Sequence, residues 1–366
     1  MTTPWPEPTG VPERMRAVVF ERFGPPEVLQ QTHLDTPRPG RGEVLVQVGA
    51  VSVGRLLDVA ARAGRHPYAS FRFPHVLGAE HAGTVAAIGE DVDGLRIGDR
   101  VAVFPAVSCG ACEYCRDAKQ EVCPQLSLIG THRPGAYAEY CAVPARNVHP
   151  VPDGLTPAEV AALAMAGPVA ANQLAQAGLR RGDWVLVQGA ASALGSTTAA
   201  LARHLGAQVI ATSRSADKRA ALTASGIDVV LDATAGEFAD QVHAVTGGRG
   251  VDIAIDNLGD PLVWEATMDS LARGGAVVCS GAFLGGRVQL DLLRLYSCSY
   301  RLIGVRTGNP ASIEALWTQV EQGFRAVLDR TFPIARAADA HRYLEDDTNT
   351  GRVALTLSRE DWTPGK

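Results

Sequence analysis

The stretch WVLVQGAASALGSTTAALARHLG, residues 184–206, decides the fold of the central part of this chain. WVLV is a continuous apolar run, typical of a strand buried in a parallel sheet, and STTAALARHLG has the pattern of a helix. Gly189 permits the tight turn between them, and Gly195 lets the helix pack close to the strand. The free N–H groups at such a helix N-terminus can bind a pyrophosphate. We expect the turn to contact a dinucleotide through these residues: Gly189, Ala191, Ser192, Ala193, Leu194 and Gly195.

Strand and helix patterns continue to alternate after this unit, which predicts an α/β fold with a doubly wound parallel sheet. VDIAIDNLG (251–259) and AVVCSGA (276–282) are two further strands of the sheet. Ligands bind at the carboxyl ends of strands in this architecture. We therefore expect further cofactor contacts at these strand ends: Asn257, Leu258, Ser280, Gly281 and Ala282.

The segment QVIATSRSADKR (208–219) indicates which dinucleotide binds. An NAD site usually has Asp or Glu at the end of this strand, where the carboxylate bonds the ribose 2′-hydroxyl. This chain has Ser213 and Arg214 there, with Lys218 nearby, and these cations would pair with a 2′-phosphate. The pattern favours NADPH, although the same charges could belong to a solvated helix start.

Four cysteines form a second motif, C-x2-C-x2-C-x7-C, within residues 105–125. Four closely spaced thiolates suit tetrahedral zinc and leave no coordination position open, so one structural zinc per chain is expected. The alternative is a set of buried or disulfide-bonded cysteines. The ligands would be Cys109, Cys112, Cys115 and Cys123.

Composition limits the remaining possibilities. A chain of 366 residues is long enough for two cores, and its net charge of -5 without a basic run does not suggest nucleic-acid binding. There is no run of 18 apolar residues and no apolar segment of signal-peptide type at the N-terminus. With four of seven cysteines committed to a metal, we expect a cytoplasmic protein without membrane contact.

The chain resembles the medium-chain dehydrogenase/reductase superfamily, which includes zinc alcohol dehydrogenases and quinone oxidoreductases. The resemblance rests on PHVLGAEHAGTVAAIGEDVDGLRIGDRV (74–101), the cysteine lobe, GAYAEY (135–140) and the stretch quoted first. It implies a mostly-β GroES-like catalytic domain from residues 15–160 and 308–366, and a Rossmann domain at 161–307. Residues 1–14 would be a disordered extension. Relatives with the zinc lobe also imply a homodimer or homotetramer.

The resemblance further implies that the ligands of a catalytic zinc are missing. Arg55, Ala79 and Met165 stand where relatives have Cys, His and Cys. Without a Lewis acid, simple alcohol oxidation lacks a way to stabilise the alkoxide. We therefore expect an NADPH-dependent reductase of an activated C=C bond in an enone, enoyl thioester or quinone. The alternatives are an alcohol dehydrogenase with replacement ligands, an imine reductase and a non-catalytic NADPH-binding protein.

The candidate catalytic residues lie around the vacated metal position. Arg55 could polarise a carbonyl or bind an acidic group, or it could form a salt bridge with Asp58 or Glu80. Tyr68 and His81 are candidate proton donors, while Glu80 and His81 adjoin the vacated position. Arg352 lies where relatives often have a residue near the cofactor. The catalytic candidates are therefore Arg55, Tyr68, Glu80 and His81, and Arg352 joins the cofactor set.

Overall fold

The computed structural model describes residues 4–7, 10–67, 69 and 71–362. It divides into two compact units. The first contains the chain up to Met165 and again from Leu328, and the second is Ala166–Val327. No helix in the described part of the chain is both long and apolar enough to cross a membrane.

The described strands and α-helices follow in chain order. The strands are β1 Arg14–Phe20, β2 Gln30–Asp35, β3 Glu43–Val53, β4 His75–Val76, β5 Glu80–Ile88, β6 Arg100–Val103, β7 Ala106–Val107, β8 Ser127–Leu128, β9 Tyr140–Pro144, β10 Val148–Pro150, β11 Trp184–Val187, β12 Gln208–Thr212, β13 Val229–Leu231, β14 Val251–Ile255, β15 Leu271–Cys279, β16 Arg301–Gly304, β17 Leu328–Pro333 and β18 Arg352–Thr356. The helices are α1 Glu113–Arg116, α2 Pro157–Leu163, α3 Ala166–Ala177, α4 Ala193–His204, α5 Ala216–Ala224, α6 Phe238–Val245, α7 Pro261–Asp269, α8 Leu292–Ser297, α9 Pro310–Glu321 and α10 Ala337–Glu345.

The first unit is built on a seven-stranded sheet in the order β10-β6-β5-β3-β18-β17, with β9 also paired to β3. The strand β18 comes from the end of the chain and pairs with β3 near its start, which closes the unit. Helix α2 begins at a capping box, because the Thr156 side chain accepts from the Glu159 N–H while Glu159 bonds back to Thr156. The unit is therefore mostly β, as the sequence indicates.

The second unit contains a six-stranded parallel sheet in the order β13-β12-β11-β14-β15-β16. The strand order reverses between β11 and β14, so the crevice for a ligand lies at their carboxyl ends. The structure thus has the predicted α/β class, with a GroES-like unit and a Rossmann unit.

Two segments differ from the sequence-based boundaries. Helix α9, expected in the catalytic domain, belongs to the second unit. The reason is close packing on α3: a Cβ added to Gly167 would lie 2.3 Å from a Leu316 methyl group. The N-terminal segment is also not uniformly disordered. Trp5 Nε1 donates to Leu155 O at 2.8 Å, and Thr84 Oγ1 donates to Pro6 O at 2.8 Å.

Candidate cofactor and active site

The turn after β11 has the geometry of a pyrophosphate-binding loop. Gly189 has φ +61°, a conformation that favours glycine. A Cβ on Gly195 would lie 2.5 Å from Gly189 O, so the helix start can approach the turn only without a side chain. Ser192 caps α4 by accepting from Gly195 N at 3.1 Å. Because Ala193 and Leu194 open the helix, their N–H groups have no intrahelical acceptor, and the loop fits a phosphate.

The end of β12 carries a cation and no carboxylate. Arg214 is exposed and has no hydrogen bond or ion pair with any residue that the structure describes. Ser213 is buried, and its Oγ accepts from Ser215 N at 3.3 Å. Arg219 is committed elsewhere, since it bonds Asp232 at 3.0 Å and Ser213 O at 2.8 Å. The predicted 2′-phosphate contact therefore falls mainly on Arg214.

The carboxyl ends of β14 and β15 are joined by side-chain hydrogen bonds. Asn257 Oδ1 accepts from Ser280 N at 2.8 Å and from Gln173 Nε2 at 3.1 Å. The neighbouring Asp256 is buried, and burial raises the pKa of its carboxyl group. Leu258 N donates to Asp256 Oδ1 at 2.8 Å, so the chain turns sharply at this edge. Gly281 and Ala282 follow Ser280 directly, as predicted.

A buried ionic cluster lies next to Ala79, one of the three positions where the resemblance implies a missing metal ligand. Ala79 is fully buried and offers no ligand atom, whereas Glu80 is ion-paired with Arg352. Arg352 also donates to Ser52 Oγ at 2.6 Å. Asp58 accepts from Gly54 N at 2.7 Å and from Gly78 N at 3.0 Å. Burial, with a contribution from the Glu80 charge, raises the pKa of Asp58 to about 7.

This cluster shows the surroundings of two predicted site residues, whose roles stay predictions. Arg352, predicted to contact the cofactor, is only 4% exposed; its Nη2 donates to Glu80 and to Ser52, while its buried Nε has no partner among the described residues. Glu80, predicted to be catalytic, has its carboxylate ion-paired with Arg352 inside the protein.

His81 lies beside this cluster, and its role as a proton donor stays a prediction. It is completely buried on β5, and burial lowers its pKa to about 4. Its Nδ1 lies 3.1 Å from Ala79 O, so Nδ1 carries the proton of the neutral ring. Register pairs His81 with Val51 and Glu80 with Ser52, so the two side chains lie on opposite faces and cannot chelate one metal. Tyr68 lies outside the described residues.

Arg55 does not pair with either carboxylate that the sequence suggested. Its Nη2 donates to Asp347 Oδ1 at 2.6 Å and to Asn349 Oδ1 at 2.8 Å. The Arg55 side chain is 28% exposed, and its Nε and Nη1 have no hydrogen-bond partner among the described residues. Arg55 is thus held in place while part of its guanidinium stays available.

The four lobe cysteines form a cluster suited to a metal. The Cys109 and Cys115 sulfurs are 3.8 Å apart, and the Cys112 and Cys123 sulfurs are 3.9 Å apart. A zinc ion with Zn–S bonds of about 2.3 Å would hold its four sulfurs about 3.8 Å apart. None of the seven cysteines forms a disulfide, which excludes the disulfide alternative. Ala111 and Cys112 N–H groups lower the pKa of Cys109 to about 6, which favours the thiolate. Within the described residues, no other group of three His, Cys, Asp or Glu could hold a metal.

Sequence reasoning gave no role in the site to two buried polar residues. Gln173 lies in an Ala-rich helix and gives no local signal, although it is fully buried at the strand ends. Asp58 was suggested only as a salt-bridge partner of Arg55, whereas its raised pKa results first from burial and then from the charge of Glu80 on β5.

Comparisons with known proteins agree with this fold. The Alcohol dehydrogenase GroES-like domain family matches residues 40–153, and the Zinc-binding dehydrogenase family matches residues 193–322. L-galactonate-5-dehydrogenase of Escherichia coli is 30% identical, over 86% of this chain and 92% of that protein.

Two solved structures have the same fold. An NAD-dependent alcohol dehydrogenase is 34% identical with a TM-score of 0.85, covering 94% of this chain and 100% of that chain. A mycobacterial quinone oxidoreductase is 31% identical with a TM-score of 0.77, covering 94% of this chain and 100% of that chain. By sequence and by structure, the chain belongs to the medium-chain dehydrogenase/reductase superfamily of oxidoreductases.

Proposed function

We propose that this oxidoreductase reduces an activated C=C bond with NADPH and without a catalytic metal. The substrate would be an enone, an enoyl thioester or a quinone. The observation that carries the proposal is the loss of the catalytic-zinc ligands, since Arg55, Ala79 and Met165 stand in their positions while Arg352 engages Glu80. The quinone oxidoreductase among the similar structures is a precedent for reduction on this fold.

The reaction needs a hydride and a place for negative charge. Bound NADPH would supply the hydride to the β-carbon of the substrate. The C=C electron pair would then move toward the carbonyl oxygen, and a proton from solvent water would complete the product, at the α-carbon of an enone or enoyl thioester and at oxygen in a quinone. Arg55 is our candidate donor to that oxygen, because its Nε and Nη1 are uncommitted. Removing one such donor typically lowers kcat by about 10²–10³-fold. We therefore expect Arg55→Met to lower kcat about 100-fold and to leave the Kd for NADPH unchanged.

Arg214 supports the choice of NADPH over NADH. An arginine with no described partner at this strand end can bind a 2′-phosphate by charge-assisted hydrogen bonds. We expect Arg214→Ala to raise the Kd for NADPH about tenfold or more and to leave the Kd for NADH unchanged. Arg203→Ala on the same domain is the control. Equal effects of Arg214→Ala on both dinucleotides would count against the NADPH assignment.

The cysteine cluster would hold one structural zinc, since four thiolates leave no open coordination position. Free thiolates of this kind fit a reducing cytoplasm, where we place the protein. We also propose a homodimer formed through β16, the edge strand of the parallel sheet. The segment 283–302 exposes many large apolar side chains around this edge: Phe283, Leu284, Val288, Leu290, Leu292, Leu293, Tyr296 and Leu302.

One experiment separates reductase from alcohol dehydrogenase. Zinc per chain is counted by mass spectrometry on protein purified without added metal, and the same sample is assayed with NADPH on 2-cyclohexenone and 1,4-benzoquinone, and with NADP⁺ on alcohols. One zinc with enone or quinone turnover supports the proposal. Two zincs with alcohol oxidation would restore the alcohol dehydrogenase reading. Tight NADPH binding without turnover of any substrate would instead indicate a binding protein.

A further inference from the structure

Gln173 on α3 connects three parts of the dinucleotide-binding unit. Its Oε1 accepts from Thr198 on α4 at 2.9 Å, and its Nε2 donates to Ser280 Oγ at 2.8 Å and to Asn257 Oδ1 at 3.1 Å. Gln173 and Thr198 are both fully buried. The helix that follows the pyrophosphate turn is thereby tied to the carboxyl ends of β14 and β15.

The orientations of the Asn257 and Gln173 side-chain amides follow from one backbone N–H group, that of Ser280, which can only donate. The backbone N–H of Ser280 donates to Asn257 at 2.8 Å, so the atom facing it must be the oxygen Oδ1. The same oxygen faces Gln173, which must therefore present Nε2. The Oε1 of Gln173 then faces the hydroxyl of Thr198, as observed.

This chain of hydrogen bonds leaves two donors uncommitted. Asn257 Oδ1 already accepts two bonds, while its Nδ2 has no partner among the described residues. Ser280 Oγ accepts from Gln173, so its own O–H proton remains available. Asn257 and Ser280 are half-buried, whereas Gln173 behind them is closed to solvent. The edge thus offers paired donors to an acceptor oxygen.

We propose that Gln173 is a positioning residue that sets Asn257 and Ser280 as side-chain donors to the nicotinamide half of the cofactor, most directly its carboxamide oxygen. The other half of the sheet, with the turn at 189–195 and Arg214, fits the pyrophosphate and the 2′-phosphate. A dinucleotide spans the point where the strand order reverses, so its second half falls at β14 and β15. This inference rests on the proposed dinucleotide binding.

The test compares two ligands by calorimetry: NADPH, and the same molecule without its nicotinamide ring (2′-phospho-ADP-ribose). Gln173→Glu replaces the donor by an acceptor, so Asn257 Oδ1 loses one of its two inward bonds and faces a second oxygen, and the Asn257 amide is no longer held by Gln173. Asn257→Asp keeps the two inward bonds and replaces the outward Nδ2 by a carboxylate oxygen, which also adds a negative charge at the donor site. Each variant should raise the Kd for NADPH about tenfold, near the upper end of one hydrogen bond's net contribution, and leave the Kd for the fragment unchanged.

Gln188→Glu is the matched control. Gln188 is a buried glutamine at the end of β11, bonded to Thr212 at 2.7 Å and to Thr267 at 2.9 Å, and it does not contact Asn257 or Ser280. We expect it to change both Kd values by the same factor.

Two results would overturn the inference. Gln173→Glu could weaken NADPH and the fragment equally, which would make Gln173 merely structural, or Asn257→Asp could leave NADPH affinity unchanged. If wild type prefers NADH, the same comparison is made with NADH and ADP-ribose, and only the NADPH assignment falls. If wild type binds no dinucleotide, the proposed function and this inference both fail.

Discussion

Asp58 makes the stability of the protein depend on pH. Its folded-state pKa is about 7, against about 3.9 for an unfolded aspartate. A raised folded pKa gives a stability contribution that is complete below the unfolded pKa and is lost as pH rises through the folded pKa. At about 1.36 kcal/mol per pKa unit, about 2 kcal/mol should be lost between pH 5 and pH 7, because the slope falls as pH reaches the folded pKa. Two charged groups act on the pKa of Asp58: the charge of Glu80 raises it and the charge of Arg352 lowers it.

Asp58→Asn removes this titration, although it also costs about 1–3 kcal/mol because one backbone N–H loses its acceptor. We expect the difference in unfolding free energy between wild type and variant to shrink by about 2 kcal/mol from pH 5 to pH 7. Urea unfolding at several pH values measures it. Buried histidines titrate equally in both proteins, so parallel curves would contradict the assigned pKa.

The Glu80–Arg352 pair should behave as a coupled buried ion pair, so the free-energy cost of removing one side chain depends on whether the other is present. Both side chains are at most 6% exposed. Arg352→Met leaves a buried carboxylate without a counter-charge, and we expect a loss of about 3–5 kcal/mol. Adding Glu80→Gln should restore most of it, as a double-mutant cycle can measure. Asp91→Ala, which removes the exposed partner of Arg41, should cost at most about 1 kcal/mol. Additive losses from Glu80→Gln and Arg352→Met would disprove the coupling.

At the scale of elements, the sequence predicted those features that depend on residues close together in the chain. The turn of Gly189 and Gly195 and the cysteine spacing each lie within one short segment, so both were recognisable. The pairing of Arg352 with Glu80 joins residues 272 positions apart, and Arg55 meets Asp347 across 292 positions. Such partners depend on how β18 returns to β3, which residue type alone does not specify. For the same reason the sequence did not predict the partners of Glu80 and Arg352, and the roles assigned to Glu80, His81 and Arg352 stay predictions.

Removing a single cysteine of the lobe should abolish zinc binding by the whole lobe. Cys123→Ser removes one of four thiolates, and we expect zinc per chain to fall from one toward zero and the melting temperature to drop. Cys141→Ser is the control, because that thiol is buried elsewhere and burial raises its pKa to about 12. Zinc retained in Cys123→Ser at the wild-type level would rule out the tetrahedral assignment.

At the scale of the whole molecule, we expect the exposed apolar side chains of the second unit to meet a partner surface. Leu292 is 66% exposed and Tyr296 is 71% exposed, and both lie on α8 beside the edge strand β16. Exposed apolar area of this extent marks an association site, and an unpaired strand edge can pair with its own copy around a two-fold axis.

We therefore expect wild type to sediment at twice the chain mass of 38.5 kDa, or at four times if dimers pair again. Leu292→Glu combined with Tyr296→Glu should bring like charges together across the interface and raise the dimer Kd at least 100-fold. Ile97→Glu is the matched control, because Ile97 is an equally exposed apolar residue, at 61%, that belongs to the first unit. Analytical ultracentrifugation over a concentration series distinguishes the outcomes. A monomeric wild type would refute the interface, and an unchanged double variant would place the interface on another surface.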